Sequence, residues 1–428
     1  MMVNFENHPC FNDKVRHKYA RIHLPVAPRC NIQCNFCNRD FDCVNESRPG
    51  VTSGILSPQQ ALLYLDKVVA RMPNLSVVGI AGPGDPFANP DETMETLRLV
   101  RAKYPEILLC VATNGLNVLP YVAELAELKV SHVTITINAV DAEVGSRVYS
   151  WVRYNKRIHN NVEGAKLLLK NQLEAVQKLK EYGITVKINS IIIPGMNSLH
   201  IPVVAEMMKE LGADIFNCIP LIPTKNTKFE TVPAPTHVEI KEIRKEAEQF
   251  LPQMSHCRRC RADAVGLLGD AVTDDIVNEI KTFSEMSDTE IEMMNVDTTA
   301  RPFVAVASME GVLVNQHLGE ADRLLIYRKT GDSSELIDTR ETPEAGSGDD
   351  RWKSLSDIIK DCNSIVVSGV GNKPKEILEE SGIKTFVMEG MISEVVDGIL
   401  HGKSVNHLMK RCKTKCGESC SGNAMGCG

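Results

Sequence analysis

Three cysteines close to the N-terminus, Cys30-x3-Cys34-x2-Cys37, have types and spacing that could do chemistry. Three thiolates hold three irons of a [4Fe–4S] cluster and leave the fourth without a protein ligand. An iron left open in this way can be chelated by the amino and carboxylate groups of S-adenosylmethionine (SAM). The cofactor then carries the radical chemistry, while the protein supplies soft thiolates and geometry. Zinc is the competing reading. A structural zinc takes four closed ligands, commonly as two Cys-x2-Cys knuckles, and this three-cysteine spacing fits it poorly.

The candidate ligands continue beyond the loop. Cys10, His23, Cys43, Cys110 and the pair Cys257-x2-Cys260 add six soft or borderline donors. Two further [4Fe–4S] clusters with three protein ligands each would use them all, since imidazole replaces thiolate on iron at the cost of a changed potential. Each has a plainer reading beside that one. A single Cys on a strand, such as Cys110, is usually a small core hydrophobe, and a single His on an apolar strand, such as His23, is usually a satisfied core residue. Cys257-x2-Cys260 is harder to explain by packing, and its alternative is half of a zinc site.

Other residues bear on a SAM pocket. Gly82-Pro83-Gly84-Asp85-Pro86 follows an apolar run, and glycine there lets backbone approach a ligand closely; Gly84 is the candidate contact with the SAM amino group, against a simple turn. Phe36 is a candidate neighbour of adenine, and Thr136 and Ile188 are candidates for the pocket wall or for ordinary core. Glu46 and Arg48 lie just past Cys43; they would move a proton and hold an anion, or form a solvated ion pair. Arg147, Tyr149, Trp151, Arg153, Tyr154, Lys156 and Arg157 mix cations and aromatics in a candidate lid over a barrel mouth.

The chain around these residues is ordinary. It has 428 residues, with 48 Lys and Arg against 55 Asp and Glu, for a net charge of −7. No basic footprint suggests nucleic acid, no apolar run has the length of a membrane span, and the first residues are too polar for a signal peptide. A cytoplasmic protein is expected, so its 14 cysteines point to cluster or metal ligation rather than disulfides.

Elements able to position such ligands can be read from the pattern. Arg21–Ala27, Leu75–Ala81, Ile107–Ala112, His132–Ile137, Thr185–Ile193 and Ile215–Ile219 are expected strands, alternating with amphipathic helices. Ser57-Pro58 has the form of an N-cap followed by proline at the first helical position. Six β/α units predict a parallel, incomplete TIM-type (β/α)6 barrel with its chemistry at the C-terminal strand ends. Residues 1–270 are assigned to this barrel and its N-terminal ligand segment, and 271–299 to an acidic, polar linker. Residues 300–405 are expected to form a small α/β domain, and 406–428 a flexible Cys/Gly-rich tail.

With these residues in view, a family resemblance is evident. His8-Pro9-Cys10-Phe11, Ala27 to Arg39 around the three cysteines, and Asp42 to Gly50 closely resemble the NifB family, radical-SAM maturases of the nitrogenase iron–molybdenum cofactor. The likeness extends through Ala81–Pro86, Ile193–Asn197 and Cys257–Cys260. Residues from Arg301 to about Gly402 resemble the NifX-like carrier domain (RNase H-like fold) fused to many members, with His317 in its His-containing segment. The resemblance implies a radical-SAM enzyme of lyase type. Its Cys30/Cys34/Cys37 cluster would cleave SAM to a 5′-deoxyadenosyl radical. Two substrate [4Fe–4S] clusters would be held by Cys10, His23 and Cys110 and by Cys43, Cys257 and Cys260. One SAM would donate a methyl group to a cluster sulfide, and a second would supply the radical that abstracts hydrogen from it. Fusion with this carbon and one added sulfur would give an [8Fe–9S–C] precursor. Expected partners are an iron–sulfur donor, downstream cofactor scaffold or carrier proteins, and a reductant such as ferredoxin or flavodoxin, with neither nucleic acid nor membrane. The alternatives are another radical-SAM maturase with auxiliary clusters and a non-catalytic iron–sulfur scaffold or carrier.

Overall fold

Apolar runs separated by amphipathic helices set the architecture of the first half of the chain. The computed structural model describes residues 8–45, 50–254, 256–257, 259–270, 273–344, 346, 348–403 and 405. The chain divides into two units, Met1–Glu285 and Met286–Gly428. In chain order the first runs β1 (Ala20–His23), β2 (Ile32–Cys34), α1 (Pro58–Arg71), β3 (Leu75–Ile80), α2 (Pro90–Lys103), β4 (Leu108–Thr113), α3 (Val122–Glu127), β5 (Val130–Thr136), α4 (Ala142–Val148), β6 (Tyr149–Tyr154), β7 (Arg157–Asn160), α5 (Asn161–Glu181), β8 (Thr185–Ile192), α6 (Ile201–Glu210), β9 (Ile215–Pro220), α7 (His237–Ala247), β10 (Val265–Gly266) and α8 (Asp274–Ser284).

Six of these strands, β1-β3-β4-β5-β8-β9, form one parallel sheet in that order, and β10 closes the β1 edge antiparallel. This is the expected incomplete barrel, with one extra strand. Its helices begin where the residue types say they should. Ser57 accepts from the Gln60 amide while the Gln60 side chain accepts from the Ser57 amide, and Pro58 takes the first helical position. Such a cap stabilises a helix by about 1 kcal/mol.

Strand pleating sorts the barrel into two faces. Ile22, Val78, Val111, Ile135 and Ile188 are all essentially buried. In register, His23 pairs with Gly79, Gly79 with Cys110 and Cys110 with His132, so these four form one row across β1, β3, β4 and β5.

The candidate lid is a β-hairpin. β6 and β7 join through Asn155 and Lys156, both left-handed (φ 48° and 64°), and β6 pairs antiparallel with β2. The cysteine loop is thus one strand of its own three-stranded sheet.

Residues 271–299, expected as a linker, split between the units. Helix α8 lies against α1, where Arg71 pairs with Glu279 and Tyr64 faces Phe283 at 6.0 Å. Helix α9 (Asp288–Met294), with a capping box between Ser287 and Glu290, belongs to the second unit.

In that unit β11 (Phe303–Val306), β12 (Leu313–Val314), β13 (Arg323–Thr330), β14 (Ser333–Glu341), α10 (Asp349–Ile358), β15 (Cys362–Val367), α11 (Asn372–Glu380), β16 (Lys384–Val387), β17 (Gly390–Met391) and α12 (Ile392–His401) follow. Its mixed five-stranded sheet has the order β14-β13-β11-β15-β16, as expected for an RNase H-like fold. Val304, Val306, Phe386 and Val396 fill one face, and Ala305, Ile326, Trp352 and Leu378 the other. No helix among the described residues is long and apolar enough to cross a membrane.

Candidate iron–sulfur and SAM site

The three-cysteine loop leaves β1 through Leu24–Arg29 and is held from several sides. The Gln33 amide donates to the carbonyls of Cys34 (3.1 Å) and Cys37 (2.7 Å). Arg39 donates to the Ile32 carbonyl and lies over the Trp151 ring at 5.6 Å. Two asparagine amides approach the thiols themselves: Asn45 Nδ2 lies 3.7 Å from Cys34 Sγ and Asn114 Nδ2 3.8 Å from Cys30 Sγ. N–H···S contacts of this kind tune a cluster's potential.

Burial pushes all three thiols up, Cys30 to about 11, and the neighbouring thiols Cys37 and Cys30 add to the rise at Cys34. Three such groups become thiolates together only beside positive charge, which cluster iron supplies. In a [4Fe–4S] cluster each of the three thiolates would bind its own iron, and the residues fit such a group.

Against this loop sits Gly82–Pro86. A side chain at Gly84 would place Cβ 2.1 Å from the Arg29 carbonyl oxygen, so glycine is what lets the two segments touch. The Gly84 and Asp85 amides donate to the carbonyls of Ala27 and Arg29 at 2.6 and 2.8 Å. The buried Asp85 carboxylate accepts from the amides of Phe87 (2.9 Å) and Asn114 (2.6 Å) and from the Thr113 hydroxyl (2.9 Å), which ties the segment to the end of β4. Gly84, Asp85, Asn114 and Thr136 line one cavity with Cys30, Cys34, Cys37 and Cys43. Phe36 and Ile188 are fully buried and do not line it. Phe36 packs in the core near Phe229. Ile188 pairs with Ile135 on the opposite face of β8 from Lys187 and Asn189. Gly84→Ala is expected to destabilise the chain by about 1–3 kcal/mol through overpacking and to remove most SAM affinity. Chemical unfolding and equilibrium dialysis with labelled SAM would read the two effects.

A second group of candidates lies on the inner face of the sheet. A Cβ at Gly79 would be 3.0 Å from Cys110 Sγ and 3.0 Å from the His23 ring, so the missing side chain leaves a space that both residues border. His23 Nδ1 lies 3.0 Å from the Arg261 carbonyl. It therefore carries the proton, and Nε2 is left with a lone pair for a metal. Burial, with the Arg21 charge, lowers His23 to about 4 and keeps it neutral. The segment from His8 to Asn12 turns back into this face, with Phe11 and His132 rings 3.9 Å apart. Cys10 is raised to about 12 by burial, then by Cys260, with Cys110 also acting on it. His23, Cys110, Cys10 and Cys260 thus share one neighbourhood.

The Cys43 loop and the segment after Cys260 are tied together. Asp42 accepts from the Ala262 amide at 3.4 Å, and Asp263 accepts from the Ser53 amide and hydroxyl at 2.9 and 2.7 Å. Arg261 is paired with Asp263 at 2.8 Å. Cys257 is half-buried. Glu46 and Arg48 lie outside the described residues, as do the tail cysteines Cys412, Cys416, Cys420 and Cys427. In the second unit His317 is half-buried against Gly369 and accepts from the Gly319 amide at 3.0 Å, a capping role. Sequence reasoning missed Asn45, Asp85, Asn114 and Arg21. Asn45 and Asp85 stand directly beside motif residues, whereas Asn114 and Arg21 become neighbours of thiols only through the fold.

The Radical SAM superfamily matches residues 24–208, and the family described as dinitrogenase iron-molybdenum cofactor matches residues 301–402. The FeMo cofactor biosynthesis protein NifB of Chlorobaculum tepidum is 54% identical, covering 100% of both chains. Proteins of the same name from Frankia alni and Klebsiella pneumoniae are 39% and 38% identical; they cover 91% and 89% of this chain and 86% of their own lengths. Among solved structures, Streptococcus suis SuiB bound to S-adenosylmethionine aligns with 68% of this chain and 59% of its own, at 14% identity and a TM-score of 0.40. The chain belongs to the NifB family of FeMo cofactor biosynthesis proteins, with a radical SAM part followed by a dinitrogenase iron-molybdenum cofactor domain.

Proposed function

We propose that this chain is a lyase-type radical-SAM enzyme that fuses two substrate [4Fe–4S] clusters, a SAM-derived carbon and one added sulfur into the [8Fe–9S–C] precursor of the nitrogenase iron–molybdenum cofactor. The observation that supports this reading is that two groups of candidate ligands stand in one barrel. One is Cys30, Cys34 and Cys37 beside the Gly84 cavity. The other gathers Cys10, His23, Cys110 and Cys260.

When bound at Cys30, Cys34 and Cys37, the resident cluster supplies the electron that splits SAM into methionine and a 5′-deoxyadenosyl radical. Asp85 keeps the Gly82–Pro86 backbone in place for the SAM amino group. Asn45 and Asn114 donate toward the thiolates. The substrate clusters are assigned to Cys10, His23 and Cys110 and to Cys43, Cys257 and Cys260. Ligation by three residues suits clusters that must leave as product, because one iron on each stays exchangeable. Glu46 and Arg48 are assigned proton movement and anion binding from the sequence alone. The second unit is assigned to holding the product before a downstream carrier takes it. An iron–sulfur donor supplies the substrate, and ferredoxin or flavodoxin the electrons.

Anaerobic reconstitution, followed by reductant and SAM labelled in its methyl carbon, tests this. About twelve irons per chain and labelled carbon in an acid-stable cluster product support the reading. About four irons with 5′-deoxyadenosine and no labelled cluster would reduce the protein to an ordinary radical-SAM enzyme. Cys257→Ala is expected to leave 5′-deoxyadenosine formation within about twofold of the parent and to abolish the labelled cluster. Loss of both activities would make Cys257 structural.

A further inference from the structure

Arg21 is an arginine on a barrel strand that is only 2% exposed. Its Nη1 donates to the carbonyls of Gly266 and Leu267 at 2.5 and 2.8 Å. Its Nη2 lies 3.1 Å from Cys260 Sγ. Its Nε is buried without a hydrogen-bond partner, and among the described residues it forms no ion pair with a carboxylate. A buried cation without a counter-charge costs several kcal/mol unless an anion completes the site.

The surroundings point the same way. Arg21 lines a cleft of about 490 Å³ together with Arg16, Arg259, Arg261, Cys260 and one carboxylate, Asp270, which accepts from the Leu267 amide and forms no ion pair with Arg21. Arg16 is matched by Asp13 at 2.9 Å and Arg261 by Asp263 at 2.8 Å, whereas Arg21 is not matched. The charged groups acting on nearby Cys10 are two thiols, Cys260 and Cys110, and two cations, Lys187 and Arg21. His8, also buried, receives the Cys10 amide on Nδ1 at 3.2 Å, which leaves Nε2–H as a second buried donor without an acceptor. The chamber therefore offers positive charge and spare N–H groups beside thiols. In an iron–sulfur cluster, three thiolates outweigh the charge of the oxidised core by about one unit, and its sulfides accept N–H bonds.

We propose that Arg21 is the fixed counter-cation of an anionic iron–sulfur cluster held through Cys260, and that the arginine-lined cleft is the entrance by which this cluster reaches its ligands. The inference rests on the proposed function, because it takes the Cys260 cluster as substrate. Arg21 acts by positioning and charge compensation. It has no bond to make or break.

The test compares the parent with Arg21→Gln and Arg21→Lys, as full-length protein reconstituted anaerobically. The parent's iron content judges the function itself, and only a parent with about twelve irons allows the variants to be read. Arg21→Gln is then expected to lose about four of those irons. Arg21→Lys is expected to regain most of them. A folded Gln variant with the parent's iron count and cluster spectrum would overturn the assignment. Arg21 also braces the Gly266 and Leu267 carbonyls, so its Gln variant could unfold. Arg16→Gln at the rim then decides the matter. Its rate of loading from a [4Fe–4S] donor protein should fall severalfold at low salt and converge on the parent's at high salt. An unchanged rate at every ionic strength would sink the proposal.

Discussion

Cys34→Ala should abolish SAM cleavage. The thiol is 4% exposed and stands on β2 with Asn45 beside it, so neither solvent nor a neighbouring side chain can replace it. With Cys30 and Cys37 alone, two irons of the cluster lack protein ligands and the assembly is lost. The expected result is 5′-deoxyadenosine at background level and about four irons fewer per chain, with the fold retained. Alanine in place of a small buried thiol removes little volume, so stability of the apo chain should fall by only about 1 kcal/mol. Cleavage at even a tenth of the parent rate would mean that the loop is not the SAM-cleaving centre.

Gly79→Val should remove a cluster without removing any ligand. The glycine is not left-handed, and a β-branched residue suits a central strand, so the backbone tolerates the change. The side chain, however, must enter the space bordered by His23 and Cys110, where Cβ alone would already lie 3.0 Å from each. Iron content is expected to fall by about four per chain. SAM cleavage should survive, and no labelled cluster product should form. Gly79→Ala should have the same effect in weaker form. A valine variant with full iron content would show that His23 and Cys110 do not share a cluster across this gap.

The barrel was legible because its six strands are apolar runs set off by helices with clear starts, such as Ser57 with Pro58 and Gln60. The thiol spacing at Cys30, Cys34 and Cys37 was legible for the same local reason. The hairpin was not. β2 has three residues, and β6 presented cations and aromatics that suggested a lid; the left-handed pair Asn155 and Lys156 was its one turn signal. Strand β14 is exposed along nearly its whole length, which erases the alternation that marks a half-buried strand in sequence. The row His23–Gly79–Cys110–His132 depends on which strands pair and in what register, and no local pattern carries that. Arg21 and Ile188 make the same point from opposite sides. The arginine opens an expected strand and is buried beside a thiol. The isoleucine was open to either reading, pocket wall or ordinary core, and is fully buried.

The antiparallel pairing of β10 with β1, Arg21 opposite Gly266 and Ile22 opposite Val265, has a consequence for how the protein matures in the cell. A chain emerges from the ribosome N-terminus first. Its first barrel strand pairs early with β3 but waits for its second partner, β10, some 245 residues downstream, and Cys10 waits with it for Cys260. The three-cysteine loop completes earlier, once β6 and β7 have been made. Synthesis therefore yields a polypeptide whose three-cysteine loop can be formed before its inner chamber exists. A ribosome-stalled chain ending after β7 should give the loop its hairpin partners while the Cys260 side of the chamber is still missing.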